Sequence, residues 1–480
     1  MLLPSVRRAA YALLATLVAL AVWAAPAAAQ QRPAPDRPQN VILIIPDGYG
    51  PASATMARDY LRYRNGPTRL ALDSVLVGSV RTFAADNRIT DSAAGATAYA
   101  ANTKTYNGAI AVDTDQQPVA TLLEAAERRG MATGIVATSR ITHATPAAFS
   151  SHVVDRGMEN EIAAQQITKD IEVILGGGRR HFLPAADGGD RRDGRNLVTE
   201  AKRDGYQYVA NRDQLDAIAA PPVLGLFSSS HMDYEVDRDP AAQPSFAEMT
   251  AKAIELLQDD EDGYFLMVEA SRIDHAGHNN DAAAHLHDIL AYNEGAQVAL
   301  EAARADGNTL VVSVSDHETG GMSLGRDDVY AWDPAVLDRV QASHGTILDA
   351  ALATVPVDGD TIQVIRPNVI RELTGIDALT SDEVARLRTH VDDPGALNRT
   401  LTGVVSQRAR VGWTTGGHTA IDVNLYAYGP GANRFAGHHD NTFVGATLAD
   451  LLGFDLAALT ATIQQQVDPT PASTPAGGNQ

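Results

Sequence analysis

The chain has 480 residues, 45% of them hydrophobic and 20% charged, with 38 Lys+Arg against 59 Asp+Glu for a formal charge of −21. That composition excludes a disordered chain, and it excludes a nucleic-acid binder acting through bulk charge, since so acidic a surface repels a phosphate backbone. Cysteine is absent, which removes catalytic thiols, thiolate zinc sites and disulfides and leaves His nitrogen and carboxylate oxygen as the metal ligands.

The N-terminus reads as an export signal over residues 1–29. Arg7 and Arg8 precede an uncharged apolar run, and Ala27-Ala28-Ala29 offers a cleavage site. The protein is therefore expected to be periplasmic or secreted, by the Sec or the twin-arginine route, with a membrane anchor as the alternative reading. Residues 30–38 read as a linker. A catalytic domain is expected over 39–325 and 411–466, interrupted by an insertion over 326–410 and followed by a disordered tail over 467–480.

Within that domain, apolar runs at 40–46 (NVILIIP), 133–137 (TGIVA), 172–175 (EVIL), 264–268 (YFLMV), 309–314 (TLVVSV) and 423–428 (VNLYAY) predict strands. They do not alternate with polar residues, so they suit a sheet covered on both faces. Amphipathic patterns predict helices over 118–129, 246–258, 282–305 and 442–452, and one near 381–388 (SDEVARLR) within the insertion. Strand–helix alternation predicts an α/β three-layer sandwich around a mostly parallel central sheet, with the insertion as a peripheral, crown-like region.

In such sheets functional side chains lie just beyond the carboxyl ends of the strands. Asp47 follows the first strand. Glu269, Asp274 and His278 follow the fourth of these runs, and Asp316 and His317 follow the fifth; His418 lies just before the last. Asp274 and His278 are one helical turn apart and can share an ion. With His418 they make an open three-ligand zinc site; Asp47, Asp316 and His317 make a second. Two such ions about 4 Å apart form a clamp suited to phosphoryl transfer. Thr90-Asp91-Ser92-Ala93-Ala94-Gly95 precedes an Ala-rich helix. Either Asp91 or Ser92 can cap that helix. As a functional residue, Ser92 at the helix N-terminus is the candidate nucleophile, its alkoxide favoured by the dipole and by a nearby cation.

Seven motifs, in order, carry a family resemblance: DG after the first strand, TDSAAGATA (90–98), KTYNG (104–108), VILGGGR (173–179), VEASRIDHAGH (268–278), SDHETGG (315–321) and TGGHT (415–419). Together they resemble the alkaline phosphatases. The resemblance implies hydrolysis of small phosphate monoesters through phosphoserine at Ser92, with two Zn²⁺ and one Mg²⁺ per chain. It implies that Asp47 also reaches the Mg²⁺ with Glu269 and Thr145, and that His143 stands beside that ion where the best-known bacterial members have Asp, which leaves the third ion's identity open. It implies that Arg156 and His275 bind the substrate phosphate, His275 replacing a Lys of those members. A homodimer is left open.

A phosphodiesterase of the same superfamily is the alternative, and a zinc-storage protein is a weaker rival. Four other histidines carry no functional reading: His285 and His287 are expected on an exposed helix, and His438 and His439 before a helix cap.

Overall fold

A computed structural model describes residues 37–357 and 360–467. The expected export signal, the expected linker up to residue 36 and the expected tail beyond Val467 lie outside these residues. The final helix, Leu456–Val467, runs one residue into the span expected as tail.

Ten strands form one sheet: β1 (Asn40–Ile45), β2 (Leu76–Arg81), β3 (Ala132–Arg140), β4 (Val173–Gly177), β5 (Gln207–Val209), β6 (Val223–Leu226), β7 (Tyr264–Glu269), β8 (Thr309–Val314), β9 (Val423–Tyr428) and β10 (Gly437–Asp440). Their order is β10-β2-β9-β8-β1-β7-β3-β4-β6-β5. Only β9 runs antiparallel to its neighbours, so the sheet is mostly parallel, as its unbroken apolar runs require. All six expected strands are present. Of the four unforeseen ones, β2, β5 and β10 are short, polar or half-exposed, so pairing rather than burial defines them, while β6 is buried but only four residues long.

Successive side chains of β1 enter different cores. Ile42 and Ile44 join one; Val41, Leu43 and Ile45 join the other. The first core is closed by helices Pro51–Tyr63, Phe246–Leu257 and Ala282–Asp306. Helices Ser92–Ala101, Leu122–Arg128, Ala144–Ser150 and Thr442–Leu452 close the second. Each fully buried Val, Ile or Leu contributes about 1.5–3 kcal/mol, so neither face of the central strands can be left to water.

The helix expected over 118–129 begins only at Leu122. Thr121 accepts from the Glu124 amide while the Glu124 side chain accepts from the Thr121 amide, a reciprocal cap that fixes the first turn. Residues upstream are held extended, with the Val119 N–H bonded to the Ala111 carbonyl. Residues 326–410 contain the expected short helix, Ser381–Thr389, and a two-stranded hairpin. The longest helix of this stretch, Pro394–Ala409, sends Leu397, Leu401, Val404 and Val405 into the first core. Helical spacing dispersed those residues along the sequence, so no apolar run announced them. No single helix among the described residues is long and apolar enough to cross a membrane.

The helix that begins at Ser92 is held in place by close backbone packing. A Cβ on Gly445 of helix Thr442–Leu452 would stand 2.5 Å from the Tyr99 carbonyl oxygen. Gly445→Ala is therefore expected to lower stability by about 1–3 kcal/mol through overpacking, read as a fall in the thermal or denaturant midpoint.

Candidate active site

Parallel strands deliver their carboxyl ends to one edge, and the candidate residues gather there. β1 ends just before Asp47 and Gly48. Gly48 has φ +80°, and a Cβ on it would lie 2.6 Å from the Asp274 Cα, so the close approach of these two segments needs glycine. β7 ends at Glu269 and leads into helix Arg272–His278, which carries Asp274, His275 and His278. β8 leads to Asp316 and His317. A short antiparallel pairing of His418–Thr419 with Glu318–Thr319 brings His418 across to the same place.

At Ser92 the capping question has a definite answer. Asp91 is the N-cap, accepting from the Ala94 amide at 3.0 Å. The Ser92 hydroxyl is thereby left free of capping and lies 3.2 Å from His317 Nε2. The other Asp91 oxygen accepts from the Gly108 amide at 3.0 Å and from Arg156 Nη1 at 2.9 Å. Arg156 Nη2 lies 3.1 Å from His143 Nε2.

Three groups offer ligand atoms within 4.8 Å of one another: Asp274, His278 and His418; Asp47, Asp316 and His317; and Asp47, His143 and Glu269. Asp47 belongs to two of them, and Thr145 Oγ1 stands 3.5 Å from its Oδ2. Imidazole protonation follows from the neighbours. His278 Nδ1 lies 2.7 Å from the Gly416 carbonyl and His418 Nδ1 lies 2.9 Å from that of Thr90. Carbonyls only accept, so both Nδ1 atoms carry hydrogen, and each Nε2 is the atom that offers a lone pair when its ring is neutral. Those two Nε2 atoms face each other at 3.0 Å. The Thr319 hydroxyl donates to Asp274 and so accepts from His317 Nδ1, leaving His317 Nε2 free as well.

The carboxylates tell the same story. Asp47 Oδ1, Asp316 Oδ2 and Glu269 Oε1 are buried without a hydrogen-bond partner, an arrangement that costs about 1–3 kcal/mol or more per orphaned atom. Burial, reinforced by Asp316, holds Asp47 well above the usual carboxyl range. Burial, with Asp274 and Glu269 beside it, pushes Asp316 up to about 8. Glu269 is raised to about 7, again by burial. Burial would raise Asp274 too, but His278, His418 and His317 hold it well below the usual range. Burial works against a charged His278, yet Asp274 raises it to about 9. His317 and His418 are lowered by burial and kept in the neutral form that binds metal. Converging lone pairs, orphaned oxygens and an oxygen–nitrogen donor set fit divalent cations of the zinc and magnesium kind.

His275 packs among Arg272, His143 and His231. Arg272 Nη1 lies 2.8 Å from its Nδ1, and its ring packs 5.5 Å from that of His143. The helix reading of His285 is corrected: it is fully buried, bonded to Ser53 and to the Ile273 carbonyl, because it shares an inward face with Ile289 and Tyr292. His287 is half-buried. His438 and His439 lie in strand β10, the first exposed and the second half-buried, ahead of a cap bond from the Thr442 amide to Asp440. Sequence reasoning missed the hold of Asp91 on Arg156 and the place of Thr319 between His317 and Asp274. Both residues sat inside motifs that had been noticed for other members.

Residues 38–454 match the family model described as alkaline phosphatase. The chain belongs to the alkaline phosphatase family. It is 39% identical over 496 aligned residues to the repressible alkaline phosphatase of Saccharomyces cerevisiae, covering 93% of this chain and 87% of that one. The crystal structure of a cold-active alkaline phosphatase from Shewanella sp. superposes with a TM-score of 0.76 at 36% identity, over 86% of this chain and 99% of that one. That of the Thermus thermophilus alkaline phosphatase gives 0.77 at 30% identity, over 92% and 99%. Like its relatives, this alkaline phosphatase is a metal-dependent enzyme that hydrolyses phosphate monoesters; the phosphodiesterase alternative is not favoured.

A carboxyl whose folded pKa exceeds its unfolded value binds more protons when folded, so stability falls as pH rises through the gap. Above the ordinary imidazole value of about 6.5, the lowered histidines no longer offset this trend. Metal-free enzyme should thus lose stability between about pH 6.5 and 8, where Glu269 (about 7) and Asp316 (about 8) ionise. Added Zn²⁺ should flatten that slope in thermal unfolding; a metal-free curve that is flat or rising there would contradict the electrostatics.

Proposed function

We propose that the enzyme cleaves small phosphate monoesters in two displacements, with Ser92 as the nucleophile that becomes phosphoserine. The observation that carries this reading is the Ser92 hydroxyl, released from capping by Asp91 and set beside His317 among the ligand groups. Asp274, His278 and His418 would hold one Zn²⁺; Asp47, Asp316 and His317 would hold the second. Asp47, Glu269 and Thr145, with His143 beside them, would hold Mg²⁺. Bound there, the ions supply positive charge for the attacking and departing oxygens of an in-line displacement.

The chain's own residues do the rest. Arg156 is fixed by Asp91 and can direct two N–H groups at two non-bridging phosphate oxygens, a fork that matches the anion. His275, on the His143 side, would add a contact to the phosphate. Ser92 sits at the first position of its helix, where the dipole favours the ionised oxygen. That oxygen attacks phosphorus, the bond to the ester oxygen breaks, and the alcohol departs. A water molecule then attacks the phosphoserine, the Ser92 O–P bond breaks, and inorganic phosphate leaves. The export signal read in residues 1–29 supports action outside the cytoplasm on esters encountered there.

Acid quench with phosphate-labelled ester should leave label on Ser92, and Ser92→Ala should leave none; label on another residue would overturn the assignment. Chelation should abolish turnover, and Zn²⁺ with Mg²⁺ should restore it. Arg156→Ala should lower kcat/KM by roughly 10- to 150-fold, the equivalent of about 1.5–3 kcal/mol in charge-assisted hydrogen bonding.

A further inference from the structure

His285 is fully buried at the crossing of the segments that carry the metal-ligand candidates, and it is not one of those candidates. Its Nδ1 lies 2.9 Å from the carbonyl oxygen of Ile273, the residue before Asp274. A carbonyl cannot donate, so Nδ1 carries the hydrogen and Nε2 is an acceptor. The Ser53 hydroxyl, 2.9 Å from Nε2, is the donor that completes the ring. Burial lowers the imidazole to about 4 and keeps it neutral, so both bonds persist across the working pH range. Ser53 lies in the first turn of helix Pro51–Tyr63, directly after the Asp47–Gly50 bend, and its amide is bonded to the Gly50 carbonyl. One imidazole therefore ties the segment of Asp47 to the segment of Asp274 and His278.

A third segment meets the same ring. Trp413 stands edge-on to His285 with ring centroids 5.6 Å apart. Its Nε1 donates to Ser406 at 3.0 Å. The next two amides, of Thr414 and Thr415, donate to the Gly320 carbonyl, and the Gly320 amide donates to the Gly417 carbonyl, beside His418. The loop bearing His418 is thus seated against His285 through Trp413.

We propose that His285 is a positioning residue that sets the spacing between the Asp47 ligand group and the Asp274–His278–His418 group. It touches neither substrate nor any ligand atom; it acts through Ser53, Ile273 and Trp413. The inference rests on the two-zinc reading above. Outlying hydrogen-bond partners of metal sites typically change metal affinity by about 10- to 100-fold when removed, and a strut shared by two ligand groups falls in that class.

The test is zinc titration of the chelated full-length enzyme against a competing chromophoric chelator, for wild type, His285→Leu, His285→Asn and Ser53→Ala. His285→Leu should bind zinc about 10- to 100-fold more weakly, with a lower kcat that recovers as zinc is raised. His285→Asn keeps an N–H near the Nδ1 position and should recover most of that affinity. Ser53→Ala changes little volume and should weaken zinc binding in the same direction, which keeps the proposal testable should the leucine variant not fold. Wild-type affinity in the Leu or Ser53→Ala protein, or equal loss in the Leu and Asn variants, would overturn it. A wild-type enzyme that binds no zinc would instead defeat the two-zinc reading beneath it.

Discussion

Like charges, packed where water cannot screen them, organise this molecule. Asp47, Asp316 and Glu269 are buried together with unpartnered oxygens, and His278 and His418 bring their Nε2 atoms within 3.0 Å of each other. Protein groups alone leave that arrangement paired only by holding protons at carboxyls that would ordinarily be ionised. Divalent cations bound among these groups would remove the conflict, by giving the orphaned oxygens a partner. The same charge resolves a second difficulty, because a protein of net charge −21 would otherwise repel a dianionic ester.

Around that centre, single residues serve two demands. Asp91 caps the helix that begins at Ser92 with one oxygen and holds Gly108 and Arg156 with the other. Capping, usually a matter of stability, here also frees the Ser92 hydroxyl and aims a guanidinium. Thr319 likewise joins Asp274 of one ligand group to His317 of the other. Small residues ease the convergence: a Cβ on Gly95 would press within 3.1 Å of the Asp316 side chain, so the helix that begins at Ser92 could not otherwise lie this close to Asp316 without a shift.

Much of this was legible in the linear chain. Runs such as NVILIIP and YFLMV told of strands buried on both faces, because nothing polar interrupts them; β1 divides its residues between two cores as that pattern demands. The candidate ligand set was legible for a related reason. Asp47, Asp274, His278, Asp316 and His317 sit just after strands, where a parallel sheet delivers its functional groups. The T-L-L-E cap that starts helix Leu122–Arg128 was legible too, but was overridden by the apolar pattern preceding it.

Sequence alone determined the layered α/β class, the parallel sheet, the family motifs and the chemistry of the donor atoms, since these depend on local periodicity and residue type. Only tertiary structure decided that Asp91 rather than Ser92 is the cap, that His285 is buried rather than exposed, and that helix Pro394–Ala409 feeds the main core. Each of those outcomes turns on which partner arrives from far along the chain: Arg156 for Asp91, Ser53 for His285, and helix Ala282–Asp306 for helix Pro394–Ala409. A local pattern fixes which face of an element is apolar or which atom can accept, but contacts between distant segments choose what that face or atom meets.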